Sequence, residues 1–403
     1  MAHARRHDEL EGRIDLRLLL PIIALVALGV VMVASSSIAL AEAQTSDPWY
    51  YLNRHLVFLA VGVSAGWLFT RVELSRLEAV GQGWLWLSLL LLLVVFMPGL
   101  GRTVNGATRW INLGFFGFQA VEAVKLALVL YLAGYMVRQG HAVMLSFAGA
   151  MKPIIAVVLM LALLLLQPDF GSAVLLVAIT IGMVWLAGAR LRYLGLLGVF
   201  LLPGLAWAAL SESYRLKRLI SFMDPWKDPF ADGFQLTQAL IAIGRGEWFG
   251  VGLGGSVQKL FYLPEAHTDF ILAVLAEELG FAGLLAVIGL FAWLTARAFF
   301  VGFRCLQLGL RFAGYCAFGV ALWIATQSMF SIGVNMGLLP TKGLTLPLIS
   351  SGGSSLIMTC AALGLLLRCS RELDRAERKG AVASAEAEGE GDSGADFERE
   401  VPA

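Results

Sequence analysis

The sequence predicts an all-α integral membrane protein: a polytopic bundle of about ten transmembrane helices with one large outer loop. Three observations carry that prediction. Of the 403 residues, 58% are hydrophobic and 15% charged, against about 45–50% apolar and about 25% charged in soluble domains. The mean hydropathy is +0.77, more apolar surface than a soluble core of this size can hide. Apolar runs of spanning length recur along the whole chain between short polar turns.

The runs fall near residues 18–40, 55–70, 83–98, 119–137, 153–168, 172–189, 194–211, 270–296, 312–336 and 355–369. The second, third and fifth need flanking residues to reach the roughly 20 that a span requires. The first follows Arg5, Arg6, Arg13 and Arg17 and ends in Ala39-Leu40-Ala41, which resembles a signal-peptidase site. It is longer than a signal-peptide core of about 7–15 residues, so it reads as an uncleaved span.

Lys and Arg in short loops set the orientation. Residues 1–17, Arg71, Arg76, Arg138, Lys152, Arg190, Arg192, Arg297, Arg304, Arg311, Arg368 and Arg371 lie on one side, which becomes cytoplasmic. An even number of spans puts both termini there. The membrane domain covers 18–370, and the Ala/Glu/Gly/Ser-rich tail 371–403 reads as disordered and cytoplasmic. The outer loop, about 212–269, mixes cations and carboxylates, so it is no basic patch. A loop of that length in a compact protein is usually functional.

The net charge of +1 says nothing about nucleic acid, and no Lys/Arg block suggests nucleic-acid binding. Cys305, Cys316, Cys360 and Cys369 form no CxxC pair and read as small apolar residues. His3, His7, His55, His141 and His267 do not have metal-ligand spacing.

Five segments could carry chemistry. Asp269, in LPEAHTDF (263–270), stands where the outer loop enters the eighth span. It either caps that helix with Thr268 or serves as a general base in a wet outer cavity. Glu122 and Lys125 share one face at the start of the fourth span. They are either a structural ion pair or functional groups facing a cavity. Arg102, Asn105 and Arg109 in GRTVNGATRWINLG (101–114) either anchor to headgroups or bind phosphate. In QPDFG (167–171), Asp169 either caps the sixth span or lines a cavity with Gln167. The stretch GLLPTKGLTLPLISSGGSS (337–355), with Lys342 and Ser354, is too rich in Gly and Pro for a helix and must line a cavity or lie buried. All five lie at the outer face, which suits a lipid-linked substrate better than a midplane transport site.

NGATRWI, QPDFG, the run from DPWKDPF to LAEELG, and LLPTKGLTLPLISSGGSS resemble the SEDS family (shape, elongation, division and sporulation) over about residues 15–370. PTKGLTLPL is more like its division members than its elongation members. The resemblance implies a ten-helix bundle and a peptidoglycan glycosyltransferase that polymerises lipid II outside the bacterial inner membrane, at the division septum. It implies a class B penicillin-binding protein of the FtsI type as partner, and FtsQ, FtsL and FtsB as regulators. The family's essential aspartate falls on Asp269, its conserved Glu and Lys on Glu122 and Lys125, and its loop arginine on Arg109. Two departures are Ala120-Val121 where the family has Pro after Gln119, and Ser351 where it often has an aromatic.

Glycosyl transfer from a lipid pyrophosphate needs a base for the attacking hydroxyl and positive charge for the leaving group. On that logic Asp269 is the base. Arg109 and Lys125 hold pyrophosphate, helped by Arg215, Lys217 or Arg218, and Glu122 keeps Lys125 charged. His267, Gln167, Asp169, Lys342 and Ser354 are expected to line the cavity. A divalent cation (Mg or Mn) at the leaving group stays open, because the sequence shows no ligand set. A lipid II flippase and a non-catalytic division scaffold are the alternatives.

Overall fold

The computed structural model describes residues 12–397 apart from 105, 115, 211, 212, 232 and 342. In chain order the helices are α1 (Leu16–Thr45), α2 (Tyr50–Arg71), α3 (Leu74–Val80) and α4 (Gly83–Val94). A small sheet of β1 (Gly101–Val104), β2 (Ala107–Asn112) and β3 (Gly117–Gln119) follows. Then come α5 (Ala120–Leu145), α6 (Phe147–Leu166), α7 (Phe170–Leu186), α8 (Leu191–Leu210), α9 (Ser213–Met223), α10 (Phe234–Arg245), α11 (Ile271–Gln307), α12 (Arg311–Asn335) and α13 (Gly353–Phe397).

Among the described residues seven helices are long and apolar enough to cross a membrane, or eight if the bent pair α3–α4 is one span. The 17-residue α7 and the apolar α8 occupy two more of the predicted positions. The order of spans is therefore as expected, whereas the count of ten is met only with these shorter or bent elements. The third span departs furthest: α3 and α4 meet at 69°, and α4 ends at Val94 rather than near residue 98.

Helix α5 is the central post. Nearly every residue from Ala120 to Met136 is buried, as expected of a helix that is apolar all round. Around it pack α4, α6, α7 and α12. Helices α2 and α13 approach through small residues. A Cβ on Gly66 would meet the Cys360 carbonyl oxygen at 2.7 Å, and one on Gly364 the Gly66 carbonyl oxygen at 2.1 Å. Gly62 and Gly66, four apart, let these backbones touch, which is how helices associate where water supplies no hydrophobic drive.

Helix α11 is broken inside its apolar run. Gly280 takes φ 69° and ψ −167°, and segment 247–252 satisfies the backbone groups freed there. Phe281 and Ala282 N–H donate to the Glu247 and Trp248 carbonyls at 2.8 and 3.1 Å, and Val251 and Gly252 N–H donate to the Glu277 and Glu278 carbonyls at 3.0 and 3.1 Å. The buried carboxylates of Glu277 and Glu278 hold the residues on either side of that segment. Arg245 lies 2.8 Å from Glu277, and Lys259 lies 2.7 Å from Glu278. Ser35 of α1 donates to Glu278 at 2.7 Å. Residues 245–259 of the outer loop are thus tied to α11.

The last helix runs on past the final span. Instead of losing regular structure at 371, α13 continues to Phe397. Its Ala, Glu and Arg content favours helix. Pairs Arg368–Glu372 at 2.8 Å and Arg378–Asp374 at 2.9 Å lie along it, and Glu377 pairs with Arg304 of α11 at 2.8 Å.

Candidate functional site

At the end of the bundle opposite the arginine-rich turns, the three-stranded sheet closes over the start of α5. Strand β2 pairs antiparallel with both neighbours, setting Trp110 opposite Arg102 and Gln119. In sequence, residues 101–114 read as a loop before the fourth span. Short strands with Gly106 and Gly114 at positive φ give too little alternation to be recognised in sequence.

Beneath the sheet lies a chamber of about 730 Å³. Arg109 and Arg218 stand on its walls, and Asp269 and Glu265 on its floor. Arg109 is aimed by the QPDFG turn: Nε donates to the Gln167 carbonyl at 3.2 Å and Nη2 to that of Pro168. Nη1 lies 3.9 Å from the Asp169 carboxylate. Arg218, on α9, donates to the Thr341 carbonyl at 3.4 Å.

Asp269 is half-buried just before α11. Its backbone is fixed by Asn335, the last residue of α12. Asn335 Nδ2 donates to the Asp269 carbonyl at 2.9 Å, and Asn335 Oδ1 accepts the Ala273 N–H at 3.1 Å. Asn335 therefore caps α11 from a neighbouring helix, so the first of the two alternatives for Thr268 and Asp269 is filled by another residue. That leaves the Asp269 carboxylate facing the chamber, where a Cβ on Gly343 would sit 3.0 Å from Oδ2. Burial pushes the Asp269 carboxyl up to about 7, and Glu265 adds to this, while Arg218 and Arg109 oppose it.

The segment 343–355 fixes the preceding loop. Ser350 Oγ donates to the Thr268 carbonyl at 2.6 Å, and Ser351 N–H to the His267 carbonyl at 3.0 Å. Asn335 was invisible as a functional residue, although a lone amide in an apolar span is itself a signal. Replacing it with Leu removes the side-chain donor to Asp269 O and leaves Ala273 N–H with only the Phe270 carbonyl, 3.0 Å away. The expected cost is about 1–3 kcal/mol, read as a lowered thermal midpoint and faster amide exchange at Ala273. Unchanged exchange there would show that α11 is capped by other means.

The remaining expected site residues divide. Ser354 lines the chamber. His267 lines an adjoining side pocket instead, against Tyr51. Burial pushes its imidazole down, so it is neutral at pH 7. Gln167 and Asp169 lie behind the chamber wall. Gln167 donates to the Leu92 carbonyl at 2.9 Å, and Asp169 caps α7 by accepting from Ser172 at 2.8 and 3.2 Å. Lys217 is exposed on α9 and does not reach the chamber. Lys342 and the side chain of Arg215 lie outside the described residues.

Lys125 and Glu122 lie apart from the chamber. Both are buried, 2.6 Å apart, and neither lines the chamber. Their shared helix face turns toward α12, so the ammonium is satisfied within the protein. Lys125 Nζ donates to Gln327 Oε1 at 2.8 Å and lies 4.8 Å from the Trp323 ring centroid. Gln327 in turn donates to the carbonyl of Thr345 at 2.9 Å, and Thr345 lines the chamber. The pair braces the wall from behind.

Among the described residues no group of three or more His, Cys, Asp or Glu side chains converges to hold a metal ion. A divalent cation arriving with pyrophosphate would find Asp269 and Glu265 on the floor and take most of its ligands from the phosphates and water.

Cations on two walls, a poised carboxylate on the floor and apolar helices all round suit an anionic headgroup carried on a lipid. That places the chain among multi-span membrane proteins with a charged chamber at one end of the bundle. The chain belongs to the FtsW/RodA/SpoVE family of cell cycle proteins, the SEDS family, whose profile matches residues 16–375. It is 55% identical over 375 residues to a probable peptidoglycan glycosyltransferase FtsW of Xanthomonas oryzae pv. oryzae, covering 93% of this chain and 76% of that one. It is 52% identical over 363 residues to the protein of the same description from Thioalkalivibrio sulfidiphilus, covering 90% and 91%. Among solved structures it resembles a chain from work on "structural coordination of polymerization and crosslinking by a peptidoglycan synthase complex", with TM-score 0.72 and 32% identity over 89% of this chain and 98% of that one. The Thermus thermophilus rod shape determining protein RodA is similar at TM-score 0.65 and 31% identity, covering 89% and 97%.

Proposed function

We propose that this chain is a peptidoglycan glycosyltransferase of the division type, which polymerises lipid II at the outer face of the bacterial inner membrane, with Asp269 as general base. The observation that carries the reading is the Asp269 carboxyl on the chamber floor, pushed up to about 7 and faced by Arg109 and Arg218. A base matched to the working pH transfers protons most effectively.

In the reaction a sugar hydroxyl of one substrate attacks the anomeric carbon of the other. Asp269 takes the hydroxyl proton as the new C–O bond forms. The bond from the anomeric carbon to the pyrophosphate oxygen breaks, and the electron pair leaves on the lipid pyrophosphate. Arg109 and Arg218 stabilise that charge. A single displacement inverts the anomeric centre. A divalent cation, where present, adds positive charge at the same phosphates. The solved peptidoglycan synthase complex supports a cross-linking partner, here a class B penicillin-binding protein of the FtsI type. The family supports FtsQ, FtsL and FtsB as regulators, both termini in the cytoplasm, and a septal location.

The test is incubation of the purified chain and its cross-linking partner with lipid II, followed by gel analysis for glycan ladders. The account also fixes the pH dependence. The carboxylate is the active form, so at limiting substrate the rate rises tenfold per pH unit below about 7 and levels off above it. Arg218 holds the carboxyl down and Glu265 pushes it up. Arg218→Gln therefore moves the limb to higher pH, and Glu265→Gln moves it lower. A limb indifferent to both changes would remove Asp269 from the base role.

A further inference from the structure

The glycine-rich turn before α13 belongs to two cavities. Gly352 and Ser354 line the chamber on one side and, on the other, a side pocket of about 170 Å³. The far wall of that pocket is one face of α2, carrying Tyr51, Arg54, His55 and Phe58 at the spacing of successive helical turns.

Three features make it more than a packing gap. Arg54 is exposed and has no carboxylate partner among the described residues, only the Phe58 ring 5.6 Å from its guanidinium carbon. His55 is 3% exposed and lines the pocket, yet its imidazole makes no hydrogen bond among the described residues. His267 Nδ1, on the opposite wall, is buried without a hydrogen-bond partner. Next to them the first turn of α13 begins at Gly353, where backbone N–H groups have no acceptor within the helix and favour an anion. A buried polar group left unpaired is costly unless a ligand or water completes it.

The surface of α2 beside the pocket indicates what such an anion is attached to. Val57 and Val61, on the neighbouring face of α2, are 63% and 49% exposed and apolar, a surface for lipid chains. A headgroup in the pocket can keep its hydrocarbon in the bilayer along α2. Polymerisation also requires two lipid-linked molecules at once, whereas the chamber concentrates its arginines around one leaving group.

We propose that the side pocket is a second anion subsite, in which Arg54, with His55 and the Gly352–Ser354 turn, holds the phosphate or pyrophosphate headgroup of a second polyprenyl-linked molecule beside the chamber. The assignment rests on the glycosyltransferase reading for its biological ligand, but binding tests it without any polymer being made.

The full chain in phosphatidylcholine nanodiscs is titrated with radiolabelled farnesyl pyrophosphate. The wild type is expected to take up two probe molecules per chain. Arg54→Gln should retain the chamber molecule, which shows that it is folded, and lose the second or weaken it by about tenfold or more. Arg54→Lys should keep most of it, and farnesol should not compete for it. Uptake of a single molecule by the wild type, or of two with unchanged affinity by Arg54→Gln, overturns the subsite. Adding phosphatidylglycerol to the discs separates the sources. If it displaces the Arg54-dependent probe, the pocket is a site for bilayer phosphate and the polyprenyl assignment fails. A wild type that binds two probes but makes no glycan would sink the polymerase reading and leave the pocket standing.

Discussion

Replacing Asp269 with Asn is expected to lower glycan synthesis by about 10²- to 10⁴-fold, the usual contribution of a positioned base, with the fold unchanged. Asn keeps the size of the side chain and removes its ability to take a proton. The fold should tolerate the change because the structure asks nothing of that carboxylate. Asn335 already caps α11 through the Asp269 carbonyl rather than its side chain. The half-buried carboxyl is also raised to about 7. A neutral amide there removes a desolvation cost, so the variant should be at least as stable near neutral pH. The measurement pairs a thermal midpoint with a polymerisation rate. Near-normal synthesis would reassign the base, and a collapsed midpoint would return Asp269 to a structural role.

Replacing Lys125 with Met is expected to act in the opposite way, through the fold. Lys125 is 1% exposed and Glu122 5%. Removing the ammonium leaves a buried carboxylate 2.6 Å from nothing charged. Such a loss costs about 3–5 kcal/mol, whereas exchanging both charges for neutral groups is often close to neutral. Lys125→Met should therefore accumulate poorly and melt early. The double variant Glu122→Gln with Lys125→Met should recover most of the midpoint. If Lys125→Met melted normally and lost only synthesis, Lys125 would be contacting substrate, contrary to its place behind Gln327 and Thr345.

These contrasts show what the sequence made legible. Spans were readable because lipid demands about 20 apolar residues in a row whatever surrounds them. Asp269 and Arg109 stood out as charges at the edge of such runs, and the i, i+3 spacing of Glu122 and Lys125 announced a pair. Which way that pair faced was not readable, since α5 is apolar all round and its partners Trp323 and Gln327 lie some 200 positions away, 202 between Lys125 and Gln327. The break at Gly280 was hidden for a related reason. AEELGFAGLL reads as continuous helix, and only the backbone of 247–252, folded back from the loop, makes the break affordable. The sheet over the chamber was missed because three short strands carry too few residues to show alternation.

The central claim is that the chamber joins sugars rather than carrying lipid across. The most direct test reconstitutes the wild-type chain with its cross-linking partner into liposomes and supplies labelled lipid II to one leaflet. Glycan chain length and the label reaching the other leaflet are read in the same sample. The account predicts glycan polymer in proportion to enzyme, none with Asp269→Asn, and no enzyme-dependent translocation with either. Label crossing the bilayer without polymer, equally with wild type and Asp269→Asn, would contradict it.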